Sequence, residues 1–214
     1  HMAPRRPKTH ERSFASHPKS VHWHYEKNIG VEPRDVAKCS HEECWFQCDK
    51  CPHAFDTALY SVTCNDQWCP YCANKKLCDD PACQVCHEKS FASHPKSAHW
   101  HDEKNGKIKP RDVSKCSDKT CWFQCDKCPH AFRSVLGNVT CGDTWCPYCS
   151  NPPKKLCDDQ ACQMCHAKSF ATHPRAAHWN YEKNGESTPR TEFMRSSKRR
   201  WFTCDICTHE WDPK

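Results

Sequence analysis

Long apolar runs are missing from this chain: no stretch approaches the ~18 residues that a membrane span needs. No secretory signal is visible either, because the start, His1-Met2-Ala3-Pro4-Arg5-Arg6, is followed by no apolar segment. Leu, Ile and Val are few, and hydrophobic residues reach 36% only when the cysteines are counted. A chain of 214 residues with this composition cannot bury a large apolar core, so its stability has to come from cross-links or metals. What it has instead is cysteine, 22 in all, about one residue in ten.

Spacing separates the two kinds of cross-link. Seven Cys-x2-Cys pairs are present: Cys48/Cys51, Cys69/Cys72, Cys83/Cys86, Cys125/Cys128, Cys146/Cys149, Cys162/Cys165 and Cys204/Cys207. A tight turn with two thiolates two residues apart presents both sulfurs to one tetrahedral ion, as zinc accepts at about 2.3 Å per bond. Disulfide scaffolds seldom place most of their cysteines in such pairs. The expectation is an intracellular protein in a reducing compartment, loaded with zinc.

The sequence also repeats. Ser13-Phe14-Ala15-Ser16-His17-Pro18 returns from Ser90 and again, with one change, from Ser169, at offsets of 77 and 79. The segment Cys44 to Phe55 returns unchanged from Cys121 to Phe132, and more loosely from Trp201 to Trp211. The repeats divide the chain into four segments: a leader at 1–12 in which His1-Met2 reads as a cloning remnant, modules at 13–86 and 90–165, and a partial module at 169–214. Within a module, Pro18 to Trp23 reads as a short helix capped by Ser16. Trp45-Phe46-Gln47 reads as a strand entering the first cysteine knuckle. Phe55 to Thr63 reads as a hairpin leading to the second.

Trp-aromatic-x-Cys-x2-Cys-x-His-x-aromatic, then Trp-Cys-Pro-Tyr-Cys, preceded by a Trp-x2-Glu-Lys-Asn segment, resembles the probable zinc-ribbon repeat family of treble-clef type. That family occurs in large DNA viruses and scattered eukaryotes. The resemblance covers modules 1 and 2 and the front of module 3. It implies small zinc-stabilised α+β folds, tandem treble-clef or zinc-ribbon modules with short β-hairpins and short helices. It also implies four cysteines per ion and a nucleic-acid role.

The residues themselves give candidate ligand sets. Cys48, Cys51, Cys69 and Cys72, repeated as Cys125, Cys128, Cys146 and Cys149, make closed four-cysteine sites with no open coordination position. Cys78, Cys83 and Cys86, repeated as Cys157, Cys162 and Cys165, need a fourth partner. His94 and His173, each after seven intervening residues beyond its triad, are favoured, with His99, His178, His87 and His166 as competitors. Cys204 and Cys207 form a knuckle with no second half, so either the chain is cut there or the half-module borrows ligands. Four or more zinc ions are expected. Cys39, Cys44 and Cys64 and their copies Cys116, Cys121 and Cys141 are left over. Arg195 and Arg200 replace the first two in module 3, which suggests that those two act together in a further metal site or a disulfide.

Catalysis is not expected. Cys-Pro-Tyr-Cys matches the dithiol of glutaredoxin-like proteins, but without the sheet and helix pattern that chemistry needs. A zinc deaminase needs a glutamate beside an open zinc, and His41-Glu42-Glu43 becomes Asp118-Lys119-Thr120 in the second copy. The formal charge of +6 is no argument for nucleic acid. A four-cysteine zinc site nets −2 and a three-cysteine, one-histidine site −1, so two of each cancel it. Local clusters count instead: Lys75-Lys76, Lys154-Lys155 and Lys198-Arg199-Arg200, with Arg34, Arg111 and Arg190 after a proline where a phosphate could meet them. Aromatics such as Trp23, Trp45 and Trp68 are expected in mini-cores around the metals. The reading is a zinc repeat protein that binds nucleic acid, DNA favoured, with no small-molecule substrate. A protein-interaction or scaffold array, for example a reader of peptide tails, is the alternative.

Overall fold

The computed structural model describes residues 9–213. The expected leader is thus described only from Thr9, and Arg5, Arg6 and Lys8 lie outside the described residues. The chain divides into two compact units, one of His1–Ser97 with Ile108–Lys115 and one of Ala98–Lys107 with Cys116–Lys214. Each unit keeps complete ligand sets, although the boundaries between the units do not fall where the sequence repeats meet. No described helix is long and apolar enough to cross a membrane.

The first unit opens with 3-10 turns at His10–Arg12, Phe14–Ser16, Pro18–His22 and Pro33–Asp35. Proline starts the last two, its fixed φ suiting a first helical position. His17, not Ser16, caps the Pro18 turn: its Nδ1 accepts from the Lys19 N–H at 3.2 Å. Strand β1 (Glu43–Gln47) pairs antiparallel with β2 (Ala54–Ala58), Phe46 facing Phe55. The hairpin therefore turns through the first knuckle itself rather than coming after it. Beyond β2 the chain makes a single helical turn, α1 (Leu59–Thr63), and after the second knuckle α2 (Gln84–Lys89). The expectation of a hairpin over Phe55 to Thr63 is thus corrected. Cys48 and Cys51 occupy the tight connection, closed by Cys48 N–H to His53 C=O at 3.0 Å, and that closure lets the flanking segments pair.

Alternation explains which residues are inside. Cys44 and Phe46 of β1 are buried while Glu43 and Gln47 are exposed. Phe14, Trp23, Val36, Phe46, Phe55, Leu59 and Val62 form the core together with ligand cysteines. Phe46 touches Phe14, Trp23, Phe55 and Trp68, with ring centroids 5.4–5.9 Å apart. Each buried phenylalanine contributes on the order of 2 kcal/mol, which leaves much of the fold to the metals. Asn28 serves as a substitute strand: its Oδ1 accepts from the Trp45 N–H at 2.9 Å and its Nδ2 donates to the Trp45 C=O at 2.8 Å.

The second unit carries α3 (Asp102–Asn105), β3 (Thr120–Gln124), β4 (Ala131–Val135), α4 (Leu136–Thr140), α5 (Gln163–Lys168), α6 (Tyr181–Asn184), β5 (Phe202–Thr203) and β6 (Glu210–Trp211). Asn105 on Trp122 and Asn184 on Trp201 repeat the asparagine device. Gly106 and Gly185 end α3 and α6 at φ 61° and 58°, a region where a side chain would be strained. Helices of four to six residues do not persist alone. They form because their ends are held: α2 and α5 follow the ligands Cys83 and Cys162 and carry Cys86 and Cys165, and the side chains of His101 and Asn180 cap α3 and α6.

Candidate metal centres

Among the described residues, four groups of ligating side chains converge. Cys48, Cys51, Cys69 and Cys72 form one and Cys125, Cys128, Cys146 and Cys149 its copy; in each group the ligand atoms all lie within 4.8 Å of one another. The Cys48–Cys72 and Cys51–Cys69 sulfurs are 3.6 Å apart, and the copies 3.6 and 3.5 Å. A tetrahedron with bonds of about 2.3 Å has sulfur–sulfur edges of about 3.8 Å. The donor set and its spacing both fit zinc. Amide N–H groups support the thiolates: Lys50 donates to Cys48 Sγ and Lys127 to Cys125 Sγ, each at 3.3 Å.

The other two groups are His53 with Cys78, Cys83 and Cys86, and His130 with Cys157, Cys162 and Cys165. His53 Nε2 lies 3.3 Å from Cys83 Sγ and 3.4 Å from Cys86 Sγ, and His130 repeats both distances. A zinc tetrahedron predicts nitrogen–sulfur edges of about 3.6 Å. Here the structure corrects the expectation of His94 and His173. Their Nδ1 atoms accept from Lys96 and Arg175 N–H at 3.2 and 3.1 Å, and their rings stack on Phe91 and Phe170. Both cap their own turns, as His17 does where no triad precedes it.

One histidine touches two metal groups. His53 Nδ1 lies 3.2 Å from Cys51 Sγ, and His130 Nδ1 the same distance from Cys128 Sγ. Ligation through Nε2 leaves the proton on Nδ1, so the ring donates to a thiolate of the neighbouring group. Tyr71 and Tyr148 stack on these rings at 4.2 and 4.3 Å and fix their planes. The signal was in the sequence: His comes after each first knuckle at the same place in all three copies, His209 being the third.

Arg111 and Arg190 are placed differently from expectation. The Arg111 guanidinium donates to Cys78 Sγ at 3.6 Å and to the Asp80 C=O at 2.9 Å. Arg190, buried, donates to Cys157 Sγ at 3.5 Å and the Asp159 C=O at 2.7 Å. Both neutralise a ligand thiolate instead of facing solvent as phosphate contacts. Arg34, with no triad before it, pairs with Glu32 at 2.6 Å on the surface. Lys75, Lys76, Lys154 and Lys155 are exposed, their backbone N–H groups held by the Pro70 and Pro147 carbonyls. Lys198 and Arg200 meet the buried Glu192, and Arg199 lies 3.6 Å from Asp212, so the third cluster is largely neutralised.

Without metal the thiols could not all ionise. Burial pushes Cys69 and Cys86 up to about 11 and raises Cys51 as well. Burial opposes ionisation of Cys78 too, but hydrogen bonding with His53, Cys86, Cys83 and Arg111 brings it down to about 6. A divalent ion is what keeps such thiols ionised together. Cys204 and Cys207 form a knuckle closed by Cys204 N–H to His209 C=O at 2.9 Å, and no group of three or more ligands includes them among the described residues. Cys44 and Cys121 are core residues at 2% and 1% exposure, so the expected partnership of Cys39 with Cys44 is not what the fold builds. Cys39 instead meets Cys64, and Cys116 meets Cys141.

Residues 20–75 and 97–152 match the family described as a probable treble-clef zinc finger domain, once in each module. An uncharacterized protein of Acanthamoeba polyphaga mimivirus is 35% identical over 202 residues, covering 92% of this chain and 47% of that protein. The chain thus spans about half the length of the curated relative it matches.

Proposed function

The chain belongs to the probable treble-clef zinc finger family, and from that premise we propose that its zinc-held modules bind nucleic acid. Zinc is the cofactor, four ions in four closed sites. Four protein ligands per ion leave no position for a substrate, which supports a binding module rather than a catalyst. Loaded with metal, the chain carries a net charge near zero, so an anionic polymer would be held locally. The observation that carries the reading is a recurrence. Lys75-Lys76 and Lys154-Lys155 stand exposed at the same point beyond the second knuckle, on backbone tied to the zinc site through a proline carbonyl. Two such pairs on one chain add their weak phosphate contacts along a polymer. A lysine over a half-buried tryptophan, Lys27 on Trp45, Lys104 on Trp122 and Lys183 on Trp201, adds one cation beside one ring per module. DNA is favoured because the relative belongs to a large DNA virus. The same reading places the protein inside the cell, in a reducing compartment, at the nucleus or a viral replication site.

Neutralisation of the Lys198-Arg199-Arg200 cluster by Glu192 and Asp212 favours a second reading, an array that docks protein tails. Titration of the zinc-loaded chain into labelled double- and single-stranded DNA and RNA at two salt concentrations separates the two. Salt-sensitive binding, weakened in Lys75→Ala/Lys76→Ala and in Lys154→Ala/Lys155→Ala, is expected. Absence of binding at low salt, with zinc content verified, overturns the nucleic-acid reading.

A further inference from the structure

Among the described residues, two exposed sulfur pairs lie outside the metal groups and apart from the Cys204/Cys207 knuckle. Cys64 Sγ is 3.1 Å from Cys39 Sγ, and Cys116 Sγ is 2.8 Å from Cys141 Sγ. All four residues are exposed, and none belongs to a ligand group. The sulfurs stand closer than the edge of about 3.8 Å that zinc imposes, and no third ligand converges on them among the described residues. The backbone holds each pair in place. Tyr60 N–H donates to the Ser40 C=O and Thr63 Oγ1 to the Lys38 C=O, each at 2.8 Å, on either side of Cys39. Gly137 N–H to the Ser117 C=O, at 3.0 Å, does the same beside Cys116. The device appears in both complete modules, while Arg195 stands where the third would have its first cysteine.

We propose that Cys39/Cys64 and Cys116/Cys141 are two dithiol sites that close reversibly into disulfides by exchange with a small-molecule disulfide, while the zinc ligands stay reduced. In the first step a Cys64 thiolate attacks one sulfur of the small disulfide, forming a mixed disulfide and releasing one small thiol. Cys39 then attacks Cys64 Sγ and releases the second. The protein sulfurs lose two electrons, the reagent gains them, and the two protons end on the two small thiols. Cys64 is suited to the first attack: hydrogen bonding with Thr63 and Cys39 lowers its thiol below the usual range. Cys141 gains the same from Cys116 and Thr140. Zinc-bound thiolates are screened by their metal, so accessibility and geometry both direct oxidation to these pairs. Closure ties the loop after Val36 to the end of α1, and the loop after Val113 to the end of α4, without touching a ligand.

The test is to incubate the zinc-loaded chain with oxidised glutathione and read intact mass, disulfide-linked peptides and zinc content together. In a Cys204→Ser/Cys207→Ser background, which removes the knuckle outside the metal groups, the expected product has lost four hydrogens, carries Cys39–Cys64 and Cys116–Cys141 links and keeps four zinc ions. Cys39→Ser/Cys116→Ser, both at exposed positions, should stop at glutathione adducts on Cys64 and Cys141. Three results would overturn the proposal: no links at saturating oxidant, links first among the metal ligands with zinc release, or additional zinc bound by these pairs.

Discussion

Replacing His130 with alanine tests the ligand assignment most directly, because it separates the histidine that the fold supplies from the one that sequence spacing favours. A structural four-ligand zinc site is held by roughly 10–16 kcal/mol, so an equal share per ligand is about 2.5–4 kcal/mol. At 1.4 kcal/mol per tenfold, the Cys157/Cys162/Cys165 site should weaken by about two to three decades. His130 Nδ1 also lies 3.2 Å from Cys128 Sγ, so the neighbouring four-cysteine site should weaken by a further, smaller factor, about tenfold. His173→Ala should leave both affinities within a few-fold and cost only about 1 kcal/mol of local stability, since it removes a cap to the Arg175 N–H. A chromogenic chelator titrated against each variant reads the number of ions released and the concentration at which each leaves. The expected pattern is one ion lost early in His130→Ala, a second somewhat early, and a wild-type profile in His173→Ala. The reverse pattern, with His173→Ala releasing an ion that His130→Ala retains, would refute the reasoning.

Arg111→Ala should speed zinc release from the Cys78/Cys83/Cys86 site by about tenfold to a hundredfold, measured by chelator kinetics, while Arg34→Ala leaves the rate unchanged. Phe46→Ala, at the centre of a core with four aromatic neighbours, should cost about 3–5 kcal/mol in thermal or denaturant unfolding of the zinc-loaded protein. Alkylation supplies a pH dependence. The Cys64 thiol is held below its ordinary 9.0, chiefly by Thr63, so its thiolate forms, and iodoacetamide reacts, with a midpoint below pH 9. Thr63→Val should move that midpoint up; an unchanged midpoint would remove Thr63 from the account.

The two four-cysteine sites were legible because both halves of each are knuckles of fixed spacing, and a tight turn is a local property that sequence carries. The fourth ligand of the other pair was not. Counting along the chain favours His94, a few residues past Cys86, whereas α2 folds back on the hairpin and meets His53, which lies 30 residues before Cys83. The clue available was that His53, His130 and His209 keep one place after the knuckle, in a motif read as a signature of the family and not as a donor. Arginine misled for a similar reason. A recurring Pro-Arg turn suggests an exposed cation, yet Arg111 and Arg190 spend their charge on thiolates 33 residues earlier. Arg34 shows the same turn without a triad, and it is exposed.

These contacts also say what a module is. The repeat read from the sequence ends near Cys86, but the metal group that ends there leans on Arg111, and the segment after it is stitched by backbone: Phe91 N–H to the Val113 C=O at 2.8 Å, and Lys115 N–H to the Lys89 C=O at 3.1 Å. Ser90 and Ser114 bridge between those bonds. The compact unit accordingly runs on to Ser97 and takes in Ile108–Lys115. A chain cut at residue 89 would keep all eight ligands of its two sites and lose the guanidinium on Cys78 and this stitching. Its Cys78 site should therefore lose zinc faster than in the full chain, by about the factor expected for Arg111→Ala, and its four-cysteine site should not. If both sites of the cut chain matched the full chain, the repeat would be the folding unit, and the arginine contact would be incidental.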